Sequence, residues 1–544
     1  MSLIGDEIRR KWLEFHSKNP KIRVQAGAIQ SGGTAPENLG TRVAEAVERL
    51  APSVPRDMLP SPHTNFKSRR GFPMPARHRR RPTMIRDRFL TLLFLAALGT
   101  VDSATASTVT AASCSNTAVQ SAINSAAPGD IVAVPAGNCT WTGGVTVASK
   151  ALTLSGAGVD VTNITDGIGG ALRVTGASST NFVTITGFTF IKSANNSGGA
   201  VIQISGGQDT VGFRLHHSSL SSSSSGIRGV IVESVYGLID HFTWNITGSA
   251  TGNQALSVWG SSAGSDGGFT PWQRPLAFGT PKAVYLEDST MNYPAGVAFV
   301  EDSIDAYAGA RLVIRYNTFN NASIGFHGTD TGGMRSPVSF EVYNNTFVNN
   351  SASQLRGMTI RGGAAVVHNN SYTGPKPWGQ ITLMLYRVVQ PQQAGGWQVC
   401  NGTRLLLGSA SLSADASRTA SSSGTVGFSS TNRDLLGPFG TGTYTTYLDG
   451  SGSGGYPCRD QPGVGPGQIV QGIYAWNNSG GVQIDTYDGG SGISDANYLQ
   501  PGRDYFNGVQ RPGYTTYTYP YPATGTGSGS TVPTSPSNLR IISQ

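Results

Sequence analysis

The sequence predicts an all-β solenoid built from stacked coils of strand and turn, and three observations predict it. The first is a self-similar eight-residue window that recurs at Val284 to Met291, Leu312 to Phe319, Phe340 to Phe347 and Ala365 to Tyr372. Each window has apolar residues at positions 1 and 3, a small polar residue or Asn at 6, Thr or Ser at 7 and a large apolar residue at 8. That alternation is the period of a half-buried strand. The Asn suits a bend, because its side chain bonds nearby backbone and tolerates left-handed geometry. The second observation is the spacing: the window starts lie 28, 28 and 25 residues apart, the length of one solenoid coil. The third is composition, with 72 Gly and only 13% charged residues. A β-sandwich would also alternate, but it has no reason to repeat one residue pattern at each turn.

Taken in order, residues 1–83 read as a basic N-terminal extension, rich in Pro and Arg, that ends at Arg77-His-Arg-Arg-Arg81. Residues 84–106 read as a secretory signal peptide: a basic start at Met84 to Arg88, an apolar run from Phe89 to Leu98 and a small-residue cleavage site at Ala104-Thr-Ala106. The run is too short to span a bilayer, so no membrane span is expected in the mature chain. Translation is expected to begin at Met84 and the mature chain near Ser107. Residues 1–106 carry 18 Lys and Arg against 9 Asp and Glu, and the remainder carries 21 against 22. The formal charge of +8 therefore belongs to the N-terminal part, and nothing in the charge of the rest argues for a nucleic-acid partner.

From Cys114 to Gly137, Val119, Ile123 and Ala126 share one helical face, and Pro128-Gly129-Asp130 turns into the strand Ile131 to Val134. This phrase resembles the start of the pectate-lyase-like superfamily of secreted bacterial proteins. Together with the windows, the resemblance covers about residues 114 to 372. It implies a right-handed single-stranded parallel β-helix with an N-terminal capping helix. A cap is needed because an open solenoid end exposes apolar surface and unpaired backbone.

Leu152 to Leu154 and Leu172 to Val174 are the next strands, followed by further windows at Val183 to Phe190, Phe213 to Leu220 and Gly237 to Trp244. The 47 residues from 237 to 284 suggest two coils, with Ala255 to Trp259 supplying the missing one. Stacking in register would align Asn317, Asn345 and Asn370 in a ladder and stack Phe319, Phe347 and Tyr372 inside. The β-helix proper is expected over 107–374. Residues 375–522 would add late coils, including Ile473 to Asn478, a Ser/Thr/Gly-rich insertion at 405–455 and a Tyr-rich cap. Tyr514, Tyr517, Tyr519 and Tyr521 would pack over the far end, and 523–544 would be a linker and tail. Sequence proximity pairs Cys114 with Cys139 and Cys400 with Cys458 as disulfides. No cysteine spacing fits a zinc site.

The densest polar set after these assignments is Asp302, Asp305, Tyr307, Arg311, Arg315, His327, Asp330 and Arg335, followed by Arg356 and Arg361. A solenoid turns sequence distance into a spatial row, because adjacent coils lie about 4.8 Å apart. In the superfamily that the chain resembles, ligands lie along the outer face of one sheet, which implies an extended acidic polysaccharide as partner. The catalytic candidates are Asp302, Asp305, Arg311, Arg315, His327, Asp330 and Arg335, on one exposed face, with Tyr307, Arg356 and Arg361 binding substrate. In β-elimination of a uronate, arginines would clamp the carboxylate and His327 or Tyr307 would move protons. Asp302 and Asp305 would be the Ca²⁺ ligands, if the reaction uses one.

In hydrolysis of the polygalacturonase type, an inverting reaction, Asp302, Asp305 and Asp330 would supply the acid and base. The order of acidic cluster, His-Gly and Thr359-Ile-Arg361 loosely resembles the polygalacturonases, but their Asn-Thr-Asp and Gly-His-Gly motifs are absent. A polysaccharide lyase is the reading, with a glycoside hydrolase and a non-catalytic adhesion solenoid as alternatives. The protein is expected to be a monomer. His216, His217, His241 and His368 occupy mid-window positions and read as structural.

Overall fold

In the computed structural model the repeated windows are coils of a parallel β-helix. The structure describes residues 106–522 except 193–198, 208, 225–227, 249–253, 262–268, 273, 296–301, 329–334, 352, 385–403, 406–446, 449–459, 467–468 and 488–498. The expected extension, nearly all of the leader, the Cys400–Cys458 pair, most of the insertion and the tail lie outside the described residues. Among the described residues no helix is long and apolar enough to cross a membrane.

Each coil contributes three short strands. The first two strand positions form one hydrogen-bonded network of nineteen strands, and the third forms a parallel sheet of ten. The nineteen-stranded network is two columns joined by the unbroken strands Val211–Ser222 and Tyr236–Ile246. In the first column Val284–Glu287, Arg311–Arg315, Ser339–Tyr343 and Ala364–His368 pair in succession, with Leu312 beside Phe340 and Phe340 beside Ala365. The window spacing of the sequence is therefore the register of the sheet.

The bend between first and second strands has a column of positive φ at window position 5: Gly187, His217, His241, Asp288, Tyr316, Asn344, Asn369 and Asn477. The sequence had placed the bend residue one position later. Position 6 carries a different device. Asn317, Asn345, Asn370 and Asn478 stack, each of the first three donating Nδ2–H to the Oδ1 of the next at 2.9–3.0 Å. The backbone N–H of Asn317 also donates to Asn345 Oδ1 at 3.0 Å, and that of Asn345 to Asn370 Oδ1 at 3.1 Å. A buried amide that satisfies both its own groups and the turn backbone removes the desolvation cost of both. Position 8 fills the interior: Phe319, Phe347 and Tyr372 stack at 4.8 and 4.7 Å.

The helix Asn116–Ser125 caps the first coil and buries Val119, Ala122 and Ile123. Ser115 is its N-cap, accepting from Ala118 N–H at 3.3 Å. The Cys114–Cys139 disulfide ties the cap to the first coil, and buried Trp141 donates its indole N–H to Cys114 O at 2.8 Å.

Two expectations are corrected. The 47 residues from 237 form one coil, because Gly237 pairs directly with Val284 and Gln254–Trp259 lies in the third sheet. The excess is an excursion that includes the short helix Phe269–Trp272. The C-terminal tyrosines do not close the far end. Residues 511–522 run as a strap along the outer face of the first column. Tyr514 donates to Glu341 Oε2 at 2.5 Å, Tyr519 to Asp288 Oδ1 at 2.7 Å, and the Tyr521 ring packs on Tyr285 at 4.3 Å. The late coil Ile473–Trp476 is present and pairs with Ala364–His368.

Candidate functional site

The third sheet carries the site. Its strands alternate, with Leu256, Val258, Ile304, Ala306, Ile324, Phe326, Met358 and Ile360 in the solenoid core. The alternate positions point outward. Ser257 lies beside Asp305 and Trp259 beside Tyr307, while Gly325 lies beside Thr359. His327 N–H bonds Ala306 O at 3.1 Å and Arg361 N–H bonds Phe326 O at 3.2 Å, which continues the outer row through Tyr307, His327 and Arg361.

At the centre His327 Nδ1–H donates to Asp305 Oδ1. The adjacent coil has Gly325 beside Asp305, where another side chain would stand. Gln254 donates to the other oxygen, Asp305 Oδ2, at 2.6 Å, and Ser257 Oγ donates to Gln254 Oε1 at 2.9 Å. Asp305 is fully buried, whereas the His327 side chain keeps 16% exposure. A buried carboxylate that fixes one ring nitrogen of a histidine sets its tautomer and orientation and stabilises the imidazolium that proton uptake would form.

Tyr307 sits edge-on to His327 with ring centroids 5.7 Å apart and packs on Trp259 at 5.1 Å. Burial and then the Asp305 carboxylate push its phenol above the ordinary range, against the Arg228 guanidinium and the Trp259 indole, so it stays protonated. Arg361 Nη2 lies 3.6 Å from Asp302 Oδ1. The Arg356 guanidinium stacks over the Tyr487 ring at 4.4 Å, and burial lowers its pKa.

The single exposed face expected from sequence is split between sheets. Asp302, Asp305, Tyr307, His327, Arg356 and Arg361 belong to the third sheet or its ends. Arg311 and Arg315 lie on a first-column strand and are 4% and 0% exposed. Arg311 holds the 260–283 excursion by donating to Pro271 O at 3.1 Å and Pro275 O at 2.7 Å. Arg315 donates to Glu287 Oε1 at 2.7 Å, Tyr343 OH at 2.8 Å, and Tyr517 O and Thr518 O at 2.7 Å each. Arg335 forms a buried fork with Asp460 and stacks on Trp272 at 4.5 Å. Asp330 lies outside the described residues. Nor is the third-sheet cluster an open groove: Tyr307 is 3% and Arg361 8% exposed, whereas His327, Asp302 and Arg356 are half-buried. The Asp302–Asp305 pair proposed for Ca²⁺ has one carboxylate already engaged by His327 and Gln254.

Sequence reasoning missed Arg228, Gln254, Ser257 and Trp259. The signal was the alternation in Gln254–Trp259, hidden once that strand was assigned a coil of its own.

No protein-family model and no curated protein matches the sequence. Among solved structures the chain is similar to the crystal structure of an alginate lyase from Paenibacillus sp. str. FPU-7, at 15% identity and a TM-score of 0.25. The match covers 51% of this chain and 97% of that one.

Proposed function

We propose that the protein is a secreted polysaccharide lyase that cleaves an acidic, uronate-containing polymer at the Asp305–His327 pair. The observation that carries the reading is a buried carboxylate orienting a partly accessible histidine, with two arginines on the neighbouring coil. β-Elimination needs these parts. His327 would take the C5 proton, the freed electron pair would form the C4–C5 double bond, and the C4–O bond would break, its oxygen taking a proton. Arg361 and Arg356 would neutralise the substrate carboxylate, which acidifies the C5 proton. Hydrolysis is less well supported, because it needs a protonated carboxyl and Asp305 accepts hydrogen bonds on both oxygens. Secretion is supported by the leader-like run Phe89 to Leu98 and by the Cys114–Cys139 bond.

The test is incubation with pectin, alginate and glycosaminoglycan panels, with and without Ca²⁺. A lyase raises the ultraviolet absorbance of unsaturated uronate, and His327→Ala should lower that rate at least tenfold, a loss of about 1.4 kcal/mol of transition-state stabilisation. New reducing ends without the absorbance would establish hydrolysis. Silence across the panel would favour a non-catalytic surface role.

A further inference from the structure

Apart from the third-sheet cluster, one other group of side chains among the described residues has the chemistry of a site. It lies at the corner between the first and second strands of two consecutive coils. His217 and His241 occupy the positive-φ column there, at φ 44 and 49, and both side chains are exposed. The adjoining position of the first column brings His216 beside Asp240.

His217 and His241 stack face to face, with ring centroids 4.6 Å apart and planes 6° from parallel, at the spacing of adjacent coils. Two imidazoles so placed repel one another as a pair of cations and cooperate as neutral ligands of one cation. His241 Nδ1 lies 2.9 Å from Asp240 Oδ2, and His216 Nδ1 lies 2.8 Å from His217 Nδ1. Asp240 is 3% exposed and is gripped from behind by Arg214, through Nε to Oδ1 at 2.9 Å and Nη2 to Oδ2 at 2.8 Å. The carboxylate is thus fixed toward the two rings.

We propose that His217, His241 and Asp240 bind one late first-row divalent cation of the Zn²⁺, Co²⁺ or Ni²⁺ class. Each residue offers one ligand atom, and the three atoms lie within 4.8 Å of one another. A tetrahedral ion with bonds of about 2.0–2.1 Å wants its ligands about 3.3 Å apart. Binding would require the two exposed imidazoles to rotate so as to close that difference. Two nitrogens and one oxygen select a borderline cation over Ca²⁺, which takes six to eight oxygens. Water would fill the remaining position, with His216 beside His217. Arg214 holds the carboxylate in place, as outer groups do around bound metals. The upstream coil carries Gly187 at this corner and the downstream one Asp288, already bonded by Tyr519, so the site spans two coils.

The experiment is calorimetric titration of Zn²⁺ into the full chain, made without a polyhistidine tag, beside His217→Ala and His241→Ala. Both substitutions are at exposed corner side chains, and circular dichroism checks that each variant is folded. The expected result is one Zn²⁺ per chain at micromolar affinity, at least tenfold weaker in each variant and unchanged by millimolar Ca²⁺. Absence of binding, binding only at millimolar Zn²⁺ as an adventitious ion, wild-type affinity in either variant, or displacement by Ca²⁺ would each overturn the proposal.

Discussion

His368 shows how a residue with useful chemistry can serve only as packing. It is 5% exposed, lies parallel between Tyr343 at 4.8 Å and Trp476 at 4.3 Å, and meets the Tyr514 edge at 5.7 Å. Among the described residues neither ring nitrogen has a hydrogen-bond partner. Burial lowers its pKa from 6.5 to about 4. The folded state keeps the ring neutral down to about pH 4, while the unfolded chain takes up a proton near 6.5, so the unfolded state binds more protons between those values. Stability should therefore fall as pH drops through this window, by up to about 1.4 kcal/mol per pH unit. His368→Phe keeps the stack and removes the term. Urea midpoints at pH 7 and pH 5 should show the variant gaining on the wild type at the lower pH; an unchanged difference sinks the idea. The sequence reading of His368 as structural rested on its mid-window position, and the same argument was applied to His217 and His241, to which the metal proposal would add a role. All three are mid-window residues, but position 4 faces the sheet surface beneath the strap and position 5 projects from an open corner.

At the scale of elements, local signals were legible and distant partners were not. The cap helix, the strand Ile131–Val134 and the Cys114–Cys139 bond follow from residues within 25 positions of one another. Replacing both cysteines by Ser should cost about 3 kcal/mol on loop-entropy grounds. Amide exchange should then quicken in Asn116–Ser125 before it does in the coils, and equal exchange in the cap would contradict this. Asp305 and His327 were also legible, because 22 residues is close to one coil. Arg315 and Arg335 were not. The sequence shows charges without their partners, and Asp460 lies 125 residues from Arg335, while the carbonyls of Tyr517 and Thr518 lie 202 and 203 from Arg315. Burial of both arginines follows from those contacts, so their removal would act through stability, as loss of a buried ion-pair partner does.

For the whole molecule, the repeat pattern was legible because each coil meets the same problem, closing three strands around one apolar interior. What the pattern concealed is the strap, which has no counterpart in any coil. A solenoid normally couples only neighbours, so its stability is a sum of local terms. Here residues 511–522 touch Asp288, Glu287, Arg315, Glu341 and His368 at once. A chain ending at Gln510 should lose amide protection across Val284–Glu287, Arg311–Arg315 and Ser339–Tyr343, while Leu152–Gly156 and Val183–Thr186 stay protected. Uniform change, or none, would show the strap to be passive. The strap also imposes an order on biosynthesis. The early coils have every partner they need as soon as their neighbours are made, whereas Arg315 and Glu341 await a segment that is translated some two hundred residues later. Until that segment arrives, Arg315 has Glu287 and Tyr343 but not the strap carbonyls, and Glu341 lacks the Tyr514 hydroxyl, on a sheet still uncovered. The growing chain should therefore mature from both flanks inward, and its centre is the stretch most in need of a chaperone.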